Sequence, residues 1–134
     1  MDIQAIVSLD CTECAVQCNS KKRILEIIAD IAAKNNADID QATVLNSLLA
    51  RERMGRTGIG NGIAIPHGRL INTDKAVAVF LTTEQAIDFD AIDNKPVDIF
   101  ICLFVPENST QEHLGTLQSI AKLQPSTFLG RVGC

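Results

Sequence analysis

The fold is decided by a nearly continuous apolar run, VDIFICLFV, at Val97–Val105. A second apolar run covers Ala76–Leu81. Runs of this length that are rich in Val, Ile and Phe are typical of strands covered on both faces, because neither face has regularly spaced polar residues. The sequence Asp93-Asn94-Lys95-Pro96 between the runs has the residue types of a turn. We therefore predict two strands that are buried on both sides.

A first helix is predicted upstream of these strands. Ser20 is its predicted N-cap, since the serine hydroxyl can accept a backbone N–H of the first turn. The apolar residues that follow have the i, i+3, i+4, i+7 spacing of one helix face: Ile24, Ile27, Ile28 and Ile31.

A second helix is predicted to begin near Asp40 and to end around Met54. Arginines in its last turn and the following Gly55 suit a helix C-terminus. Its apolar face consists of Val44, Leu45, Leu48 and Leu49. A last helix is predicted from the capping-box spacing Ser109-x-x-Glu112. The expected fold class is therefore α/β, with a mixed β-sheet flanked by helices on both faces (an α/β sandwich), and the length suits a single domain over 1–134.

Composition excludes several classes of function. The chain carries a formal net charge of −4 and contains no Trp and no Tyr, whereas nucleic-acid binding needs a basic face and uses aromatic rings to stack bases. No stretch approaches the ~18–20 consecutive apolar residues that a membrane-spanning helix requires. The start, Met-Asp-Ile-Gln, lacks the basic segment of a signal peptide. We expect a soluble, cytoplasmic protein with no nucleic-acid partner and no membrane insertion.

The cysteines raise the question of a metal site. There are five, and without an export signal we expect reduced thiols. The spacing Cys11-x-x-Cys14-x-x-x-Cys18 offers three thiolates, whereas structural zinc sites use four ligands. Cys102 lies in the apolar run and is expected in the core, and Cys134 could join only if the tail folds back. The favoured interpretation is unrelated thiols with no metal and no cofactor; a small zinc site is the alternative.

His67 is the candidate reactive residue. It lies between Pro66 and Gly68, after a glycine-rich segment that we interpret as a loop entering a short strand that stops at Pro66. Proline fixes the chain there, and glycine leaves no side chain in the way of a partner. A neutral imidazole with a pKa of ~6.5 is a nucleophile near pH 7, and its attack on a phosphoryl donor would form an N–P bond. The alternative is a histidine in a surface turn without a chemical role.

The glycine-rich segment does not predict a nucleotide site. The stretch GIGNG at Gly58–Gly62 is similar to part of a dinucleotide fingerprint, but here a helix precedes and a strand follows, the reverse of the order that the fingerprint needs. No Gly-Lys-Ser or Gly-Lys-Thr sequence is present. A phosphoryl group would therefore reach His67 from a donor other than a bound nucleoside triphosphate.

The segment GIGNGIAIPHG at Gly58–Gly68 resembles the active-site signature of the type-2 EIIA domain, the fructose/mannitol/nitrogen class of the bacterial phosphotransferase system. The resemblance extends to Arg51–Gly55 before it and to Phe89–Asn94 and Pro96–Asp98 after it. It continues with Val105-Pro106 and then His113-Leu114, with Leu117 following. The chain departs from the family pattern after about residue 124, where Pro125 interrupts the last helix, so this end is expected to be shortened or divergent.

The resemblance implies that His67 accepts a phosphoryl group from an HPr-type phosphocarrier, and that His113 and Arg51 lie nearby and stabilise that group. A guanidinium offers a planar fork of donors to phosphoryl oxygens. His113 lies near the start of a helix, where the helix dipole favours an anion. The alternatives are a cation that complements the end of its helix for Arg51, and a residue at the border of an apolar helix face for His113.

The segments Gly55–Gly68 and Ala91–Asn94 are most similar to the nitrogen-type, regulatory members of this class. We therefore expect a phosphocarrier with a regulatory role and a regulatory target protein. One alternative is a sugar-specific EIIA that passes phosphate to an EIIB domain for fructose or mannitol uptake. Another, of a different class, is a regulatory binding module with little phosphate flux.

Overall fold

The computed structural model describes residues 12–34, 39–70 and 77–106. Within these ranges the chain forms one six-stranded sheet and two helices. The elements in chain order are β1 (Thr12–Val16), α1 (Lys21–Lys34), α2 (Gln41–Met54), β2 (Gly58–Gly60), β3 (Ile63–Ala64), β4 (His67–Leu70), β5 (Val77–Ile87) and β6 (Val97–Pro106).

The sheet is mixed. Its strand order is β1-β5-β6-β3-β2, and β4 also pairs with β6. β5 is antiparallel to β6, and β2 is antiparallel to β3. β1 is parallel to β5, and both β3 and β4 are parallel to β6. The α/β class and the mixed sheet that the sequence predicts are thus confirmed.

Strand β6 has a buried residue on both of its faces, as its apolar sequence predicts. Alternate residues of a strand point to opposite sides. Phe100, Cys102 and Phe104 share a core cluster with α1 and α2. Leu103 and Val105, on the other side, form a second cluster with Ala78. The two described helices therefore pack on one face; the last predicted helix, from Ser109, lies outside the described residues.

Both predicted helix starts are confirmed by their caps. The backbone N–H of Arg23 donates to the Ser20 hydroxyl at 3.2 Å, and the N–H of Thr43 donates to the Asp40 carboxylate at 3.2 Å. The apolar stripes behind these caps face the core: Ile24, Ile28, Ile31, Val44 and Leu48 are buried, and Ile27, Leu45 and Leu49 pack partly buried against them.

The predicted strand over Ala76–Leu81 is wrong at its end, since β5 continues to Ile87. The extension was missed because its polar residues Glu84 and Gln85 are exposed, and because pairing with β6 shifts register between Thr82 and Ile87. Strand β1 was not predicted either. Ala76 itself lies outside the described residues.

The cysteine interpretation needs a correction at Cys14, which is disulfide-bonded rather than a reduced thiol. The other described cysteines, Cys18 and Cys102, are free. Cys102 is fully buried, as expected for a core residue, and burial raises the pKa of its thiol well above the usual value. Cys11 and Cys134 lie outside the described residues.

Candidate functional site

His67 opens strand β4, which corrects the expectation that a strand simply stops at Pro66. On β3, Ala64 lies opposite Phe100 of β6, and three residues later on both strands His67 lies opposite Leu103. Proline has no N–H to donate, but the Pro66 carbonyl still accepts the N–H of Leu103 at 3.2 Å. The alignment with β6 therefore continues through the proline.

Among the residues that the structure describes, each ring nitrogen of His67 has one hydrogen-bond partner, and the two partners differ in kind. Nδ1 lies 2.9 Å from the carbonyl oxygen of Ile65. Nε2 lies 2.9 Å from Nε of Arg51. A carbonyl only accepts and a guanidinium only donates, so Nδ1 carries the ring proton and Nε2 presents its lone pair. The geometry thus defines a neutral imidazole with Nε2 as its basic and nucleophilic atom.

The electrostatic surroundings favour this neutral form. Burial is the largest influence and lowers the pKa of His67. The hydrogen bond to Ile65 raises that pKa, the Arg51 charge lowers it, and the Glu52 charge raises it. The net shift is downward from the ordinary value, so the imidazole of half-buried His67 is neutral at pH 7.

Arg51 reaches the imidazole from the last turn of α2. Its Nη1 donates to the carbonyl of Gly55 at 3.0 Å, and its Nε donates to His67. The first contact is the helix-end role that the sequence left open, and the second is the proximity that the resemblance implied. A guanidinium has five N–H donors, and these two bonds engage two of them. His113, the third predicted site residue, lies outside the described residues.

Close packing between α2 and β4 sets the approach of Arg51. A Cβ atom added at Gly68 would collide with the hydroxyl oxygen of Ser47 and lie 3.2 Å from the Ser47 Cβ. Gly68 is itself buried, and its missing side chain lets α2 pack closely against β4. The sequence-based interpretation, that this glycine leaves room for a partner protein, is therefore corrected. Ser47 and Arg51 are four residues apart and share one helix face. The Ser47 hydroxyl also donates to the carbonyl of Arg69 at 3.0 Å.

The glycine-rich segment is a hairpin between β2 and β3, not a loop. Asn61 and Gly62 have φ angles of 58° and 78°, the left-handed pair that a tight two-residue hairpin needs. The Asp93 carboxylate accepts the N–H groups of Asn61 and Lys95, each at 3.1 Å, and these bonds lower the pKa of Asp93. The Asn-Gly pair was the sequence signal that could have found this turn.

Glu52 also acts on His67 through its charge, although no sequence pattern marks it as a site residue. Its Oε1 accepts the hydroxyl of Thr57, and its Oε2 lies 3.0 Å from Nζ of Lys21. Lys21 also lies 3.4 Å from the Asp90 carboxylate and 4.8 Å from the centre of the Phe89 ring. Lys21 occupies the first turn of a helix, where the dipole disfavours a cation. That mismatch was the available hint that it has an acidic partner.

Two further observations concern metals and membranes. Within residues 12–34, 39–70 and 77–106, no group of three or more His, Cys, Asp or Glu side chains is placed to hold a metal ion. In the same part of the chain, no helix is both long and apolar enough to span a membrane.

Known proteins resemble this chain along most of its length. The pattern of the family described as phosphoenolpyruvate-dependent sugar phosphotransferase system, EIIA 2, matches residues 5–126. The nitrogen regulatory protein of Escherichia coli (strain K12) is 49% identical over 123 residues, which are 91% of this chain and 75% of that protein. The PTS system fructose-like EIIA component of the same organism is 34% identical over 116 residues, 84% of this chain and 78% of that protein.

Among solved structures, the crystal structure of nitrogen regulatory protein IIA-Ntr from Neisseria meningitidis is similar with a TM-score of 0.84 at 39% identity. The match covers 89% of this chain and 81% of that one. The likeness thus holds for sequence and for backbone over nearly the same extent. The chain belongs to the EIIA type 2 family of the phosphoenolpyruvate-dependent sugar phosphotransferase system.

Proposed function

We propose that the protein is a regulatory phosphocarrier that accepts a phosphoryl group on Nε2 of His67 from an HPr-type protein. One observation carries this proposal. The Ile65 carbonyl fixes the ring proton on Nδ1, so the lone pair lies on Nε2, 2.9 Å from the Arg51 guanidinium. A nucleophile and a cation are thereby placed together, which is what an incoming anionic electrophile requires.

The transfer balances without a cofactor. The lone pair of His67 Nε2 forms a bond to phosphorus while the P–N bond of the donor's phosphohistidine breaks, and that electron pair returns to the donor imidazole. His67 keeps its Nδ1 proton throughout, so the phosphorylated ring gains positive charge. The bond from Nδ1–H to the Ile65 carbonyl is strengthened by that charge.

Arg51 acts on the phosphoryl group in this scheme. Its Nε–H occupies the Nε2 lone pair in the free protein, so it must turn aside as phosphorus approaches. Its planar fork then meets the equatorial oxygens, which carry the transferring charge. We assign the same stabilising role to His113, on the strength of family membership.

The nitrogen-regulatory role rests on the degree of similarity. The E. coli nitrogen regulatory protein is 49% identical to this chain, whereas the fructose-like EIIA component is 34% identical. A sugar-specific EIIA that passes phosphate to an EIIB domain is therefore the second candidate. The two are separated by incubating the phosphorylated protein with a fructose-type EIIB: a regulatory carrier should hold its label far longer than a transport carrier.

Labelling by a phosphorylated HPr-type donor tests the proposal. Wild-type protein should take up one phosphoryl group that maps to His67, and His67→Ala should take up none. The matched control is His113→Ala, which removes the chain's other histidine and should still be labelled, although more slowly. Equal labelling of His67→Ala and wild type would exclude His67 as the acceptor.

A further inference from the structure

A continuous set of contacts links the start of α1 to the imidazole of His67. Lys21 Nζ lies 3.0 Å from Glu52 Oε2, as an ion pair without the angle of a hydrogen bond. The other oxygen of Glu52 accepts the hydroxyl of Thr57. The backbone carbonyl of Thr57 accepts the N–H of Ile65 at 2.9 Å. The carbonyl of Ile65 in turn faces Nδ1 of His67.

Glu52 and Thr57, the central polar members of this set, are buried. The side chain of Glu52 is 6% exposed and Thr57 is 3% exposed. A carboxylate in such a position is costly unless it is paired, and a buried ion pair adds little stability compared with apolar residues of the same size. Stability therefore does not account for this arrangement, whereas a requirement for one fixed geometry does.

Ile65 transmits that geometry to the site. Its N–H donates to the Thr57 carbonyl, and its own carbonyl accepts the Nδ1 proton of His67. The peptide groups before and after Ile65 are therefore each fixed by one hydrogen bond. A displacement of Thr57 moves Ile65 and withdraws the acceptor from Nδ1. The proton of a neutral imidazole resides on whichever nitrogen has an acceptor, so the tautomer depends on that contact.

We propose that Glu52 and Thr57 are positioning residues, which together with the ion pair to Lys21 form a brace for the Ile65 carbonyl. The brace holds this carbonyl against Nδ1 of His67 and so keeps the proton off Nε2. This inference rests on the proposed function, because it names what makes Nε2 the nucleophile. It does not need either residue to touch the phosphoryl group. Without the brace, only the bond from Arg51 to Nε2, among the described contacts, opposes the other tautomer, so part of the population carries the proton on Nε2, where it blocks attack.

The tautomer of His67 is measured by nitrogen-15 NMR of the unphosphorylated protein at pH 8. The chain has two histidines, and a His113→Gln variant assigns their signals. Thr57→Val keeps the shape of the side chain and removes its hydroxyl. We expect it to raise the fraction with a proton on Nε2 and to slow transfer from the HPr-type donor about three- to tenfold, the range expected for one lost hydrogen bond. Thr57→Ser keeps the hydroxyl and should restore both values.

Two carboxylate variants complete the test. Glu52→Gln keeps an oxygen for Thr57 but removes the charge, so it should change the tautomer less than Thr57→Val and lower the pKa of His67 further, since Glu52 raises it. Asp90→Asn removes the other carboxylate near Lys21, has no contact with Thr57 among the described interactions, and should change neither quantity.

The outcomes are separable from those of the phosphocarrier proposal. A wild-type tautomer in both Thr57→Val and Glu52→Gln would overturn the brace even if His67 is labelled normally. An equal change in Asp90→Asn would also overturn it, because a general charge effect would then suffice. A tautomer that depends on Thr57 in a protein that no donor labels would support the brace and contradict the phosphocarrier role.

Discussion

The protonation and orientation of the His67 imidazole are set by neighbours that act on different atoms of the ring. Ile65 determines where the proton resides, and Arg51 engages Nε2, the atom that we propose as the phosphoryl acceptor. Burial adds a third influence, because an imidazolium would lose hydration at this half-buried position. These effects together keep the ring neutral and oriented before any partner arrives.

The pH dependence of phosphoryl transfer follows from the lowered pKa of His67. Burial and Arg51 lower it by more than Ile65 and Glu52 raise it. We expect a rate that is constant above pH ~6.5 and that falls only at lower pH, as Nε2 becomes protonated. Single-turnover transfer measured across pH should show this acid limb, with the donor's own stability to acid measured in parallel. A limb at or above the ordinary histidine pKa would contradict the lowered value.

Stability should change with pH in the same direction. Unfolded His67 binds a proton more readily than folded His67, so the unfolded state takes up more protons as pH falls below ~6.5. The contribution of the neutral ring to the free energy of unfolding is therefore present above that pH and is lost as pH falls through the folded pKa. A His67→Gln variant should lack this component.

At this scale the sequence predicted only part of the site. Arg51 and His67 carried a recognisable signature, and the structure places them in contact. Glu52 and Thr57 are only five residues apart, but a glutamate and a threonine at that spacing form no recognisable motif, so the sequence does not predict their contact. The pairing of Lys21 with Glu52 crosses 31 positions of chain (52 − 21 = 31), so only the folded arrangement of α1 and α2 reveals it.

Helix α2 and strand β4 act as one unit in presenting the site. Gly68 lets the helix lie directly on the strand at Ser47, and one turn later the same helix face carries Arg51 to His67. The distance between the Arg51 guanidinium and the His67 imidazole therefore depends on the contact between Gly68 and Ser47, in which neither Arg51 nor His67 takes part.

Gly68→Ala should separate the two elements. The new methyl group would collide with Ser47, push α2 away and lengthen the contact from Arg51 to His67. We expect about 1–3 kcal/mol of destabilisation from overpacking and a roughly ten- to hundredfold slower transfer, since a shift near 1 Å has that effect on a positioned group. The variant Ser47→Gly removes the obstructing side chain and serves as the reference. Transfer in Gly68→Ala/Ser47→Gly should approach that of Ser47→Gly, and no recovery would exclude the steric cause.

The elements that the sequence predicted are those with local signals. Ser20 and Asp40 cap their helices through bonds to residues three positions ahead, so the pattern is visible within one turn. Strand β4 is only four residues long, and its partner in β6 lies far along the chain. A short strand of that kind has no period of its own, and only the sheet defines it.

The whole molecule is organised around β6. This strand pairs with β5, β3 and β4, and the described helices lie on one of its faces. Phe100 is fully buried there, with its ring edge-on to Phe89 at 5.2 Å between centroids. The Lys21 ammonium lies over the other partner in this pair, the Phe89 ring. Phe89 therefore contacts both the hydrophobic core and the polar contacts near His67.

Phe100→Ala should destabilise the fold by about 3–5 kcal/mol, because a large cavity opens beside β5 and Phe89 loses its ring contact. Urea unfolding measures this change, and Phe100→Leu should cost clearly less. Transfer at low temperature, where the variant is still folded, should be reduced if the loss of Phe89 packing reaches Lys21. A destabilisation below about 1 kcal/mol would contradict the central place of this residue.

The common register of β3 and β4 along β6 has a consequence for insertions and deletions. Because side chains alternate across a sheet, one residue added between Ala64 and His67 would turn the imidazole to the opposite face of the sheet and change its approach to Arg51. One residue added at the Asn61 turn would alter the hairpin but leave the spacing from Ala64 to His67 intact. Length variation among homologous chains should therefore be tolerated at that turn and absent across the proline.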